Sequence, residues 1–126
     1  MKEVVAAVVR SGSKFLVAQR NETQHYAGLW EFPGGKVQDG ESYLDAARRE
    51  LLEELALVVM DDGELLCTIV DESAGVRIHF LKVEIAGTPL LFEHAKVDWC
   101  GVCEIQRLPL APADQEFVRT HLALCF

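Results

Sequence analysis

Three glutamates in one stretch of the sequence, Glu50, Glu53 and Glu54, have the type and spacing of a metal-ligand set. At 100° per residue of helix, the three side chains fall within an arc of about 100°, on a different side from the leucines of the same segment. None of them has a basic residue four positions further on, so their mutual repulsion is not relieved along the helix. Carboxylate oxygens are ligands that Mg²⁺ prefers. The segment therefore predicts a helix whose polar face binds a divalent cation.

A glycine turn and an arginine accompany this cluster at a fixed spacing. Residues 35–57 fit the pattern G-x5-E-x7-R-E-U-x-E-E-x-G-U, where U is an apolar aliphatic residue, and the segment resembles the Nudix box of the Nudix hydrolases. The matching positions are Gly35, Glu41, Arg49, Glu50, Leu51, Glu53, Glu54 and Leu57. Ala56 replaces the last glycine of the box, which predicts a reshaped helix exit, because alanine enters the left-handed conformation less easily.

Two stretches outside the box narrow the resemblance. Residues 30–36, WEFPGGK, and residues 110–114, LAPAD, are similar to the MutT-like branch, whose members cleave nucleoside triphosphates. The similarity extends over nearly the whole chain. It implies a Nudix-type α-β-α sandwich of the α/β (α+β) class, with a central mixed sheet.

The resemblance implies how a metal would be held. Glu50 and Glu54 are expected to bind Mg²⁺ directly, with Mn²⁺ as a possible substitute, and Glu53 to help through direct or water-mediated contacts. The carbonyl of Gly34 and the carboxylate of Glu93 are expected to add further ligands. A lone loop carboxylate such as Glu93 is more often simply solvated.

Arg49 is expected to complete the catalytic set with these three glutamates. Its position beside the cluster, with Glu41 nearby, suggests an ion pair that fixes the carboxylates, while Gly35 supplies a structural turn. Sequence alone does not decide which glutamate accepts the proton of the attacking water.

Three cations are candidates for phosphate binding. Lys36 directly follows the Gly-Gly turn, Arg20 ends a predicted strand and Arg77 begins another. Guanidinium and ammonium groups both bind phosphate, although each of these residues also fits the description of a solvated strand end.

Four further residues are candidates for base binding: Asp114, His25, Phe32 and Phe80. In MutT-like enzymes the position that matches Asp114 carries Asn or Asp and bonds the nucleobase, whereas the alternative is an acid that favours a helix dipole. A single aromatic on a strand is more often a core residue than a stacking platform.

The pattern of apolar residues predicts a β, β, β, α order followed by several strands and a last helix. A hairpin is expected through Ser11-Gly12-Ser13, and irregular backbone at Pro33-Gly34-Gly35. Strands are predicted at residues 2–9, 14–19, 30–32, 57–60, 64–71, 76–85 and 97–102, and helices from about 42 to 56 and 112 to 124.

The 126 residues are expected to form one domain, spanning residues 1–126. No apolar run is long enough for a membrane span, which predicts a cytoplasmic protein with no membrane partner. With 12 basic residues against 20 acidic ones, a net charge of −8 argues against binding a nucleic-acid polymer. A nucleoside triphosphate would also be repelled, so its binding should depend on divalent cations.

Cys100 and Cys103 resemble a redox motif, but the expected βαβ setting is missing and no second ligand pair is present for zinc. We therefore predict that these thiols only pack.

The leading hypothesis is a Mg²⁺-dependent pyrophosphohydrolase that sanitises oxidised nucleotides such as 8-oxo-dGTP. A cytidine-type enzyme acting on CTP, dCTP or damaged pyrimidine nucleotides is the alternative within the same chemistry. A non-catalytic nucleotide-binding module and a small redox protein are the alternatives from other classes. Monomer and homodimer both stay open.

Overall fold

The computed structural model describes residues 1–89 and 96–126. Its ten strands are β1 (Lys2–Val8), β2 (Arg10–Ser11), β3 (Lys14–Gln19), β4 (Trp30–Glu31), β5 (Gly34–Lys36), β6 (Val58–Val59), β7 (Glu64–Asp71), β8 (Val76–Lys82), β9 (Ile85–Ala86) and β10 (Lys96–Gly101). Its helices are α1 (Tyr43–Leu55), α2 (Val102–Arg107), α3 (Pro112–Phe117) and α4 (Ala123–Cys125), with a π-helical segment (Val118–Leu122) between the last two.

The strands form two four-stranded sheets and one strand pair. The first sheet has the order β5, β1, β8, β7, in which β1 and β8 run parallel and the other neighbours run antiparallel. In the second sheet β3 pairs with β10, β2 and β4, all antiparallel. The short strands β6 and β9 pair with each other. The fold is therefore α+β with a mixed sheet, as predicted.

Strand β1 is apolar on both faces because helices cover both. Val5 and Ala7 belong to one core cluster, which also contains Leu51 of α1. Ala6 belongs to the other cluster, with Phe117 of α3. Successive side chains of a strand point to opposite faces, so this alternation places α1 on one side of the sheet and the C-terminal helices on the other. This is the layered arrangement expected of an α-β-α sandwich.

Two predictions about the first strands were wrong. The hairpin at Gly12 joins β3 to the two-residue strand β2, whereas β1 lies in the other sheet, between β5 and β8. Residues 34–36 were expected to be irregular but form β5, which pairs with β1. A side chain at Gly34 would place its Cβ 1.9 Å from the carbonyl oxygen of Val5, so the glycine permits this pairing instead of preventing it.

The C-terminal third differs from the prediction in three further places. The strand expected at residues 76–85 is split into β8 and β9, and helix α2 follows β10 where no helix was predicted. Glu104 caps α2 by accepting a hydrogen bond from the Gly101 N–H at 3.0 Å. The expected last helix contains a five-residue π-helical segment. Within the described part of the chain, no helix is long and apolar enough to cross a membrane.

Candidate active site

Helix α1 separates an apolar face from an acidic one. Its N-terminus is capped by Ser42, whose hydroxyl accepts a hydrogen bond from the Asp45 N–H at 3.1 Å. The buried residues Ala46, Ala47, Leu51 and Leu55 pack against the sheet. The three glutamates lie on the side that adjoins this face, with Glu50 and Glu54 half-buried, and they border a cleft. Packing of the apolar face therefore fixes where the carboxylates point.

The cleft has a volume of about 830 Å³. It lies between α1, β5, the loop at residues 20–29 and the turn that joins β7 to β8, and the start of α3 borders it. A cleft of this size is in the usual range for a small-molecule ligand. The predicted site residues that line it are Arg20, His25, Gly34, Gly35, Lys36, Arg49, Glu50, Glu53, Glu54 and Asp114.

Strand β5 brings backbone close to the acidic face of α1. A Cβ atom on Gly35 would lie 2.4 Å from the carboxyl carbon of Glu50 and 2.6 Å from each of its oxygens. Such a distance is impossible for real side chains, so Gly35 must be a glycine if Glu50 is to hold this position.

Arg49 is the hydrogen-bonding centre of the acidic face. Its Nε and Nη2 donate to the two oxygens of Glu41 at 2.8 and 2.9 Å, which makes a bidentate ion pair. Its Nη1 donates to Glu50 at 2.8 Å and to Glu53 at 3.4 Å, and Nη2 also donates to the carbonyl of Lys36 at 2.8 Å. Arg49 thus ties the loop before α1, the helix itself and β5 together.

This ion pair changes the acidity of its members. Hydrogen bonds from Arg49, and then from the backbone N–H of Gln38, lower the pKa of Glu41 to about 2. The carboxylate of Glu41 in turn raises the pKa of Arg49, with a further contribution from Glu50. The predicted Arg49–Glu41 ion pair is therefore present in the structure.

The donor atoms fit a divalent cation by their chemistry. Three carboxylates from one turn of α1 line the same cleft as the backbone of Gly34 and Gly35, and one oxygen of Glu54 is buried there. These are hard oxygen donors of the kind Mg²⁺ prefers. Among the described residues, no group of three or more His, Cys, Asp or Glu side chains is already gathered as a metal site. The carboxylates of Glu50 and Glu53, held now by Arg49, would have to turn toward a common point.

Arg20 organises the loop that forms another wall of the cleft. Its Nη1 forms a salt bridge with Glu31 at 2.6 Å, and its Nε donates to the carbonyl of His25. The ring of His25 packs against that of Tyr26, with centroids 4.0 Å apart. Lys36 is exposed and lines the cleft beside the acidic face of α1. Arg20 and Lys36 are thus two cations in one acidic cleft.

Asp114 lies at the inner end of the cleft and is almost completely buried, with 3% of its surface exposed. One of its carboxyl oxygens accepts a hydrogen bond from the Phe32 N–H at 2.9 Å. Burial, and then the negative charge of Glu31, raise the pKa of Asp114 well above its usual range. A buried carboxyl with a raised pKa is typical of binding and catalytic sites, and its neutral form both donates and accepts hydrogen bonds.

Several predicted residues lie elsewhere. The guanidinium of Arg77 lies outside the cleft and donates to Glu3 at 3.0 Å, so its position does not support phosphate binding. Phe80 is fully buried and stacks on Phe117 at 4.4 Å, which makes it a core residue and not a base platform. Phe32 is also in the core, although it borders a small recess of about 60 Å³ beside Asp114. Glu93 lies outside the described residues.

Among the lining residues that sequence patterns did not select are Glu31, Tyr26 and Asp71. Glu31 stands within the WEFPGGK stretch, directly before buried Phe32, and strand alternation was the one signal that could have placed it in the cleft. Tyr26 and Asp71 are 45 positions apart and meet through a hydrogen bond of 2.9 Å, which no local pattern indicates.

The cysteine pair has a different setting from the one expected. Cys100 lies near the end of β10 and Cys103 lies in the helix that follows, so the strand-helix environment is present after all. Cys100 is buried, and burial raises its pKa, which is the reverse of an activated thiol, whereas Cys103 is exposed. Both are free thiols.

Known proteins are similar to this chain in sequence and in fold. The family model described as "NUDIX domain" matches residues 1–121. The chain is 40% identical to the CTP pyrophosphohydrolase of Escherichia coli K12, over 98% of this chain and 93% of that protein. It is 34% identical to the putative 8-oxo-dGTP diphosphatase 2 of Mycobacterium tuberculosis, over 91% of this chain and 84% of that protein.

A solved structure agrees with these relatives. The crystal structure of the MutT Nudix hydrolase from Burkholderia pseudomallei superposes with a TM-score of 0.79 at 25% identity, covering 94% of this chain and 95% of the other. The family match spans nearly the whole sequence, and the box carboxylates line the cleft that the fold creates. The chain therefore belongs to the Nudix hydrolase family and is similar to its MutT-like members.

Proposed function

We propose that this protein is a Mg²⁺-dependent pyrophosphohydrolase that converts a nucleoside triphosphate into a monophosphate and diphosphate, and that it removes oxidised nucleotides such as 8-oxo-dGTP. Nudix hydrolases generally use divalent metal ions and act on small nucleotide substrates. The observation that carries the proposal is the position of Glu50, Glu53 and Glu54, which line the same cleft as the Gly34–Gly35 backbone.

The residues of the cleft divide the work of hydrolysis. A divalent cation, when bound, would neutralise phosphate charge and make water a better nucleophile. Glu50, Glu54 and the Gly34 carbonyl would hold it, and Arg49 keeps Glu50 beside β5. The oxygen of water forms a bond to phosphorus as the anhydride P–O bond breaks. The proton of the water passes to a carboxylate of the cluster, and the bond electrons leave with the departing phosphate oxygen.

The inner end of the cleft suits a nucleobase. Burial raises the pKa of Asp114 and so favours its protonated form, whose carboxyl offers one donor and one acceptor beyond the bond it accepts from Phe32. Guanine presents two acceptors at N7 and O6. In 8-oxoguanine N7 carries a hydrogen, so the same edge presents one donor and one acceptor. A neutral carboxyl therefore complements the oxidised base better than the ordinary one.

A cytidine-type substrate is the second candidate because the same match of hydrogen-bond donors and acceptors applies to cytosine. Cytosine presents an acceptor at N3 beside the N4 amine donor, which also complements a neutral carboxyl. The relative with 40% identity is a CTP pyrophosphohydrolase. Glu31, whose charge helps to keep the proton on Asp114, is a second acceptor nearby for an exocyclic amine.

A substrate profile tests the proposal directly. The purified protein with Mg²⁺ is assayed against 8-oxo-dGTP, dGTP, CTP, dCTP and 5-hydroxy-dCTP, and diphosphate is measured together with the monophosphate. We expect the highest kcat/KM for 8-oxo-dGTP. If 8-oxo-dGTP is hydrolysed no faster than dGTP, the sanitising role is wrong, and a preference for CTP or dCTP would support the second candidate. Absence of hydrolysis for all five nucleotides would refute the enzymatic proposal itself.

A substitution at the base end gives the matched control. Asp114→Asn keeps an oxygen to accept from the Phe32 N–H and removes the titratable proton. Since an amide always carries a donor and an acceptor, as the protonated carboxyl does, we expect this variant to remain folded and to keep both its turnover and its preference between 8-oxo-dGTP and CTP at pH 7. Asp114→Ala removes both groups and should lower kcat/KM for the preferred substrate at least severalfold, and unchanged kcat/KM in that folded variant would show that Asp114 does not contact the base.

A further inference from the structure

A hydrogen bond crosses the cleft away from the acidic face of α1. The Tyr26 hydroxyl, on the loop at residues 20–29, donates to Oδ2 of Asp71, at the end of β7, with a distance of 2.9 Å. Both residues line the cleft, so the bond joins two of its walls. We refer to the Tyr26–Asp71 pair as the strap.

The loop side of the strap is held in an uncommon conformation. Tyr26 has a φ of +58°, in the left-handed region that an aromatic residue seldom adopts. Such a conformation costs on the order of 1 kcal/mol or more and persists only where surrounding contacts impose it. Here the carbonyl of Tyr26 accepts from the Leu29 N–H, and its ring packs against His25, whose carbonyl accepts from Arg20. The strap is therefore connected to the Arg20–Glu31 salt bridge beside Asp114.

The opposite side of the strap is nearly buried and equally well fixed. Asp71 has 9% of its surface exposed, and its Oδ1 accepts from the Ala74 N–H at 3.2 Å. Both of its hydrogen bonds come from neutral donors. A carboxylate in this setting repels phosphate and accepts hydrogen bonds from uncharged hydroxyl or amine groups. This part of the cleft thus differs from the part beside Lys36 and the Gly34–Gly35 turn.

We propose that Tyr26 and Asp71 position the nucleoside half of the substrate by closing the cleft over it, so that sugar and base are enclosed while the phosphates extend toward α1. This inference rests on the proposed function, because it assumes that a nucleotide occupies the cleft. Tyr26 and Asp71 act by positioning the nucleoside, and the reacting phosphates lie at the other end. Their loss weakens nucleoside binding and leaves binding of the diphosphate product unchanged.

Calorimetry of product binding tests the nucleoside end and the metal end of the cleft independently, and it does not require turnover. CMP and 8-oxo-dGMP probe the nucleoside end, and inorganic pyrophosphate with Mg²⁺ probes the metal end. Tyr26→Phe removes one hydroxyl and keeps the ring, and Asp71→Ala removes the acceptor. For whichever monophosphate the wild type binds, we expect each variant to raise the Kd by about fivefold, which is the effect of losing one hydrogen bond. The Kd of pyrophosphate should stay unchanged.

The pair should also behave as one unit. Because both substitutions break the same hydrogen bond, the double variant is expected to bind the monophosphate no more weakly than the weaker single variant. Matched controls are Tyr43→Phe, at the other tyrosine of the chain, and Asp61→Ala, which removes a carboxylate that accepts the Glu84 N–H far from the strap. Both controls should leave the Kd values of monophosphate and pyrophosphate unchanged.

The outcomes distinguish the inference from the proposed function. In one outcome, the wild type binds pyrophosphate and a monophosphate, and Tyr26→Phe and Asp71→Ala bind both ligands equally well. This result would overturn the proposed role of the Tyr26–Asp71 pair and would leave the proposed enzymatic function unaffected. Equal losses for both ligands would reduce the pair to a structural role and also overturn it. Wild type that binds neither ligand would refute the proposed function and the inference together. Thermal unfolding of each variant checks that the fold is retained.

Discussion

At the scale of single residues, the three glutamates of α1 repel one another, and ion pairs with Arg49 offset part of that repulsion. Arg49 forms salt bridges with Glu41, Glu50 and Glu53 at 2.8, 2.8 and 3.4 Å. A side chain with a fixed fork of donors suits this task better than lysine would, because it bonds several carboxylates in set directions. Arg49 therefore restricts the movement of the carboxylates that would bind a metal.

The catalytic assignment predicts a large effect from a small change. Glu54→Gln and Glu53→Gln keep side-chain size and remove one negative charge each. We expect each to lower kcat by about 10²-fold or more while the unfolding temperature is retained, because metal binding and proton transfer both require a carboxylate. Steady-state kinetics with 8-oxo-dGTP or CTP measures the effect. Glu116→Gln, at an exposed residue of α3 that does not line the cleft, is the matched control, and full activity in both cleft variants would contradict the metal-site proposal.

The Arg49–Glu41 ion pair predicts a defined pH dependence. The pKa of Glu41 falls from 4.5 to about 2 on folding, because Arg49 and the Gln38 N–H bond its ionised form. A lowered pKa contributes stability that is complete above the unfolded value of 4.5 and is lost as the pH falls toward about 2. We therefore expect the stability difference between wild type and Glu41→Gln to be constant from pH 7 to 5 and to shrink below pH 4.5.

Urea unfolding at a series of pH values checks this expectation. Glu116→Gln again serves as a control and should differ from wild type by a constant amount. A difference between wild type and Glu41→Gln that grows on acidification would mean that Arg49 does not stabilise the ionised carboxyl.

At the scale of elements, sequence patterns predicted the helices and strands whose stability depends on contacts within one continuous segment. Helix α1 was placed correctly because its cap at Ser42 and its apolar stripe lie in one continuous segment. Strand β5 was missed because a Gly-Gly pair indicates irregular backbone, and only the close approach of Val5 makes it a strand. Pairing of β1 with β8, across more than 70 positions of sequence, is likewise a tertiary choice.

The same distinction holds for the site. The grouping of the box residues was predictable because Gly35, Glu41, Arg49 and the glutamates lie in one continuous segment of sequence, which runs from β5 through α1. Tyr26 and Asp71 were not, because neither has a distinctive neighbour in sequence and the fold alone brings them together. Arg77 shows the reverse error, since a strand-end arginine looked suitable for phosphate until β1 supplied Glu3 as its partner.

The exit of α1 offers a prediction about stability. Ala56 was expected to reshape this exit, yet it adopts the left-handed conformation with φ of +56°, and its N–H donates to the carbonyls of Leu51 and Leu52. A residue with a Cβ is strained here by about 1–2 kcal/mol. Ala56→Gly removes that strain but makes the unfolded chain more flexible, so we expect a net gain of about 0.5–1 kcal/mol.

Thermal unfolding measures this gain as a rise in Tm of about 3 °C. Ala46→Gly provides the opposite control, because Ala46 lies within α1 with helical geometry and its replacement should cost at least about 1 kcal/mol. Activity should not change in Ala56→Gly, since the acidic face of α1 is untouched. A fall in Tm for Ala56→Gly would show that the strain at this position is not real.

At the scale of the whole molecule, charge is the dominant constraint on ligand binding. A chain with net charge −8 repels an anionic substrate, and the cleft itself carries Glu31, Asp71 and the three carboxylates of α1. Among the described residues, four cations that line the cleft, Lys2, Arg20, Lys36 and Arg49, offset part of this charge, but Arg20 is already paired with Glu31, and Arg49 with Glu50 and Glu53. A nucleotide substrate would therefore need additional positive charge, which a divalent cation would supply.

This charge balance predicts that Mg²⁺ stabilises the folded protein before any substrate is added. A ligand that binds the native state alone raises stability by about 2.7 kcal/mol at a concentration 100 times its Kd. General relief of repulsion among 20 acidic residues would also stabilise the fold, but NaCl at matched ionic strength would then act equally well. We expect Mg²⁺ to raise Tm well beyond the NaCl control, and EDTA to reverse the rise. A Glu50→Gln/Glu54→Gln double variant should lose the Mg²⁺-specific part and keep the NaCl response, whereas equal shifts in the double variant and wild type would place the cation somewhere other than α1.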